Sequence, residues 1–141
     1  MNFLDNIAAG LSLVGNLEAF AALFLGVLIG TIAGAIPGMS ATMAVALTLP
    51  FTFSMEAITA ILLLLGVYKG GIFGGSIPAI LIKTPGTPAS SATVLDGYPM
   101  AEKGQAGKAL GMALWASCTA DLISNLALIL FAGWLASFAL N

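Results

Sequence analysis

The chain has 141 residues, 60% of them hydrophobic and 7% charged, with a net charge of −2 and no histidine. Its mean hydropathy is +1.08, so polar residues are too few to cover a water-soluble surface and the composition reads as an integral membrane protein in a lipid bilayer. The acidic balance and the lack of arginine speak against a nucleic-acid surface, and without histidine there is no imidazole for metal or proton chemistry.

At about 20 residues per span, the length holds about four to six spans. The N-terminal stretch MNFLDNIAAG lacks the basic region of a signal peptide. Phe3, Leu4, Ile7, Ala8, Leu11 and Val14 recur at helical spacing, with polar residues largely between them. Residues 1–17 are therefore predicted to form an interfacial amphipathic helix ahead of a transmembrane region over residues 18–141.

No charge occurs from Ala19 to Met55. An unbroken helix of that length would rise about 55 Å, against a hydrocarbon core of about 30 Å. The break falls in AIPGMS, where Pro37 removes a helical donor and Gly38 tolerates unusual dihedrals. One span is expected over Ala19–Ile36 and a less regular piece over Met39–Phe53, which Pro50 ends or bends. Gly26, Gly30, Gly34 and Gly38 recur every four residues along one helix face, and Gly66, Gly70 and Gly74 repeat the pattern. Close helix packing explains such stripes better than substrate contact. Lys69 lies among the second set, either snorkelling to an interface or facing a polar interior. Cys118 has no partner for an internal disulfide and reads as a small apolar filler within a helix.

The segment KTPGTPASSATVLDGYPMAEKG, residues 83–104, interrupts this apolar pattern. Pro85 and Pro88 prevent a regular helix through its tip, so amides and carbonyls there lack helical partners. Within a membrane such backbone is expected only beside water or a ligand. Half-helix N-termini starting near a break direct partial positive charge toward an anion, and Lys83 adds a full charge. The continuation DGYPMAEKGQAGK has the composition of a solvated connection, with Lys103 and Lys108 inclining it toward the cytoplasm. PGMSAT at 37–42 and PGTPAS at 85–90 echo one another, each placing Pro-Gly ahead of small hydroxyl residues. The candidate substrate-binding residues are Gly38, Ser40 and Thr42 at the first break and Thr84, Gly86, Thr87, Ser90 and Ser91 at the second. The expected fold is all-α and polytopic, with broken or re-entrant segments near Pro37–Thr42 and Thr84–Thr93.

The ordered motifs GTIAGAIPGMSATMAVALTLPFTF and GVYKGGIFGGSIPAILIKTPGTPASSATVLDGYPMAEKGQAGKAL resemble the N-terminal part of the large membrane subunit of tripartite tricarboxylate transporters, the TctA family. The resemblance runs from about Leu25 to the last residues. It implies a bacterial inner-membrane permease that works with a small membrane subunit and a periplasmic solute-binding protein. Such a permease is a secondary transporter of tricarboxylates or related carboxylates, driven by sodium or protons and requiring no cofactor. The chain correspondingly lacks a Walker-type phosphate loop. Members are several times longer and built from two related halves, so the chain is expected to be the first part of a two-half fold.

Where the family usually has small residues, this chain carries Ala120-Asp121. An ionisable group deep in an apolar helix needs a partner. Asp121 either takes part in ion coupling, pairs with a lysine, or lies nearer an interface. A small helical membrane scaffold that uses glycine faces to bind partner helices is the alternative function. No nucleophile–base pair or ligand cluster suggests an enzyme or a metal site.

Overall fold

The computed structural model describes residues 10, 12 and 14–139, with the backbone alone for 133–139. The helix predicted over residues 1–17 lies largely outside the described residues. The described residues fold as helices without strands: α1 Leu17–Gly34, α2 Ala41–Thr48, α3 Ala57–Gly74, α4 Ser76–Ile82, α5 Ser91–Glu102 and α6 Ala106–Ala139. Three stretches, Leu17–Gly34, Ala57–Ile82 and Ala106–Ala132, are long and apolar enough to cross a membrane. Helix formation follows from the solvent these residues suit, because in lipid each backbone amide must find its acceptor within the segment.

The core is a contact between the two glycine stripes. A Cβ built on Gly26 would meet the Leu63 carbonyl oxygen at 2.3 Å, and one on Gly66 would meet that of Leu23 at 2.5 Å. The same relation repeats upward, with Gly30 against Val67 and Gly70 against Val27, then Gly34 against Gly71 and Gly74 against Thr31. Residue numbers rise together on both helices, so α1 and α3 run parallel. Val67 is fully enclosed beside this seam. Gly38 leaves the stripe: it stands beyond the end of α1 with φ +89°, as the turn element of the first break.

A parallel pair requires the intervening chain to return along nearly the full length of α1. After Pro37-Gly38, Ser40 caps α2 by accepting a hydrogen bond from the Met43 amide at 3.2 Å. Pro50 then enters near the start of a 3₁₀ helix, Leu49–Ser54, that continues α2. At the rise of each helix type, Ala41–Ser54 covers about 24 Å, close to the roughly 27 Å of α1. The irregular second piece expected at Met39–Phe53 is this α-to-3₁₀ return. Ala41 packs on Gly71, where an added Cβ would lie 2.9 Å from the alanine methyl.

α3 and α4 form one apolar stretch, Ala57–Ile82, interrupted at Gly75. Pro78 cannot donate to the Gly74 carbonyl, which ends α3 there. Beyond α4, Lys83 takes the left-handed conformation, φ 61°, and the Thr84 amide reaches back to the Pro78 carbonyl at 3.3 Å.

One expectation fails at DGYPMAE. Instead of a solvated connection, these residues belong to α5, which contains Pro99. Proline late in a short helix displaces one donor only. Gly97 is buried as a packing residue, since a Cβ there would meet Ile80 Cγ1 at 2.7 Å, and Ile80 is fully buried. The solvated turn is confined to Lys103–Gln105, with Gly104 at φ +74°. Tyr98 supports Lys83, whose ammonium lies 5.4 Å from the ring centroid. The negative charge of Glu102, then its hydrogen bond to the phenol and slight burial, holds the Tyr98 hydroxyl above its ordinary value of 10.0.

α6 runs opposite to α3, because Ser117 lines a cleft with Ser76 while Asp121, one turn further along, meets Lys69. Its apolar side chains, among them Trp115, Leu122, Ile123 and Leu126, are exposed.

Candidate functional site

The glycine seam decides where the two helix breaks fall. Since α1 and α3 are parallel, both open at the same end of the pair. The second break is fastened there: the Gly86 amide donates to the Gly75 carbonyl at 3.1 Å. A Cβ on Gly86 would lie 2.2 Å from the Gly34 carbonyl oxygen and 2.8 Å from the Gly75 α-carbon. The tip of the 83–90 segment is thus wedged between the ends of α1 and α3, three residues before Pro37.

The hydroxyl candidates divide into two groups. Thr87 and Ser90 are buried and largely occupied by one another. Ser90 Oγ donates to the Thr87 carbonyl at 2.8 Å and accepts from the Thr87 amide at 3.2 Å, and the two hydroxyl oxygens lie 3.3 Å apart. With Pro88 at its first position, this is a capping box on a 3₁₀ turn, Pro88–Ser90, that leads into α5. Ser40 and Thr42 pair across 2.9 Å at the start of α2. Thr84 and Ser91 are exposed, with the Thr84 hydroxyl 3.3 Å from the Ile82 carbonyl. Among the described residues no hydrogen bond joins the two sets.

Two clefts flank this end. One of about 320 Å³ lies between α4, α5 and α6 and includes Ser76, Thr93, Asp96 and Ser117. The other, about 240 Å³, opens between α1, α3 and α6 and includes Thr31, Lys69, Phe73, Ser117, Cys118 and Asp121. In the second cleft Lys69 forms an ion pair with Asp121, and the Asn125 amide donates to the other carboxylate oxygen at 3.2 Å. Of the readings open for Asp121, the structure shows pairing with a lysine, Lys69. Cys118 is exposed on the wall of this cleft rather than filling a core position. The sequence offered a lysine as one possible partner of Asp121 without saying which, and the structure identifies it as Lys69. No group of residues suited to a metal ion occurs among the described residues.

The tripartite tricarboxylate transporter TctA family matches residues 20–141. A relative from Agrobacterium vitis, an uncharacterized 52.8 kDa protein in the TAR-I ttuC' 3'region, is 40% identical over 141 residues. That match covers 100% of this chain and 28% of the relative, so the chain spans little more than a quarter of the relative's length. No solved structure matches. With the family pattern extending from the first membrane-length helix through both Pro-Gly breaks and the whole of α6, the chain belongs to the tripartite tricarboxylate transporter TctA family.

Proposed function

We propose that these residues form part of the multi-pass permease of a bacterial inner-membrane tripartite transporter, a secondary system that takes up tricarboxylates or related carboxylates on a sodium or proton gradient. It works with a small membrane subunit and a periplasmic solute-binding protein. The observation that carries this reading is the docking of Gly86 against Gly34 and Gly75. It holds both helix breaks at one end of a parallel pair, as a carboxylate site built from broken helices requires. Gly38, Ser40, Thr42, Thr84, Gly86, Thr87, Ser90 and Ser91 shape that region. Thr87 and Ser90 fix the backbone, while Thr42, Thr84 and Ser91 are the exposed hydroxyls open to a ligand. The turn with Lys103 and the start of α6 with Lys108 lie at this same end, and the positive-inside rule turns it toward the cytoplasm.

The test is uptake of labelled citrate and succinate by the full-length permease, reconstituted with its small subunit and binding protein. Separate sodium and proton gradients are imposed. The expected result is gradient-driven accumulation that needs all three proteins and no ATP. Stable assembly of the three without uptake of either acid under either gradient would favour the scaffold function instead.

A further inference from the structure

We propose that the Lys69 ammonium is an anchoring point for a substrate carboxylate, and that Asp121 occupies it as an internal substitute when the cleft holds no substrate. The inference rests on the transport function proposed above and adds a site outside the two Pro-Gly breaks. Lys69 is the lysine placed well inside the membrane-length helices, because Lys83 follows the end of α4 and Lys108 is the third residue of α6. A cation in such a place is retained at a cost and needs an anionic partner. Its partner here is half-exposed: the side chains of Lys69 and Asp121 are 34% and 46% accessible, both on the cleft between α1, α3 and α6. A ligand can therefore reach the pair from the cleft.

Exchange of carboxylates is chemically balanced. A substrate carboxylate replacing Asp121 leaves Lys69 with the same type of partner. Asp121 keeps a donor meanwhile, because the Asn125 amide holds its second oxygen. The cleft also offers Ser117, whose hydroxyl makes no hydrogen bond to the described residues. Val27, Ile72, Phe73 and Leu114 supply apolar wall, where a charge pair is less screened than in water. A volume of about 240 Å³ falls just below the roughly 300–1,000 Å³ of drug-sized ligand pockets. That size suits a small organic acid.

Cys118 provides the measurement, since it lines the same cleft one helical turn before Asp121. In the full-length permease, alkylation of Cys118 by a maleimide, followed by mass spectrometry of its peptide, should be slowed by citrate or succinate. Trimethyl citrate, which lacks the charges, should leave the rate unchanged. Asp121→Asn frees Lys69 and should lower the half-protecting concentration about tenfold, the equivalent of about 1.4 kcal/mol. Lys69→Gln should remove protection. The wild-type comparison requires no altered protein to fold. Equal alkylation rates with and without both acids overturn the proposal, and if uptake persists in the same vesicles the transport function stands without this site. Protection that survives Lys69→Gln likewise overturns it, leaving the ion pair as a link between α3 and α6.

Discussion

Gly30→Leu should prevent the full-length permease from folding stably, with a marked loss of monodisperse protein in detergent and a large fall in Tm. The first added carbon alone would lie 2.1 Å from the Val67 carbonyl oxygen and 2.8 Å from the Gly71 amide nitrogen. Both are backbone atoms of a facing helix, so no rotamer change relieves the contact and the two helices must separate. Overpacking of a filled interior costs about 1–3 kcal/mol and occasionally more, and backbone as the obstacle places this substitution at or above the upper end. Separation also weakens the contacts at Gly26 and Gly34, because the seam is continuous. Ile32→Leu, at a side chain 67% exposed on the same helix, is the control and should leave Tm unchanged. A stable Gly30→Leu protein with altered substrate preference would assign the stripe to binding instead.

Gly86→Val should abolish uptake, and the structure gives the mechanism as displacement of the second break. The β-carbon would be forced toward the Gly34 carbonyl oxygen at 2.2 Å and the Gly75 α-carbon at 2.8 Å, and the branched methyls enlarge the clash. The 83–90 tip must then leave its seat and give up the hydrogen bond from the Gly86 amide to the Gly75 carbonyl. Because the seat is part of the packing, Tm should fall together with uptake, by an amount corresponding to about 1–3 kcal/mol. Wild-type uptake and Tm in Gly86→Val would detach this loop from both folding and transport.

The glycine spacing made the helix contact legible in the sequence, because a four-residue stripe has little use except close approach. Its direction was not legible. A stripe reads the same to a parallel and an antiparallel partner, and the return through Ala41–Ser54 depends on Pro50 converting an α-helix to 3₁₀ rather than ending it. Asp96-Gly97-Tyr98-Pro99 carried the composition of a turn and proved helical, since Gly97 was selected by Ile80 across the α4–α5 contact, which local composition cannot reveal.

The candidate site was legible to a similar depth. Both Pro-Gly breaks were evident, as was the presence of small hydroxyl residues beside them. The partners of those hydroxyls were not evident, although Thr87 followed by Pro88 and Ser90 is itself a helix-start signal. Lys69 and Asp121 are separated by 52 positions, and α6 had to be placed opposite to α3 before their pairing could emerge.

The parallel course of α1 and α3 brings both breaks to one end, and it fixes the side of the membrane on which each helix start lies. Glu18 in the first turn of α1 and Glu56 at the start of α3 are exposed, and Lys103 lies in the turn between α5 and α6 at the far end. Each position would carry a single cysteine in a full-length permease from which Cys118 and any other cysteine have been replaced, and be probed with a membrane-impermeant maleimide in intact cells and in inverted vesicles. Cysteines at 18 and 56 should react from the same side of the membrane, the periplasmic one, and a cysteine at 103 from the other. Reaction of 18 and 56 from opposite sides would contradict the parallel pair and with it the common location of the two breaks.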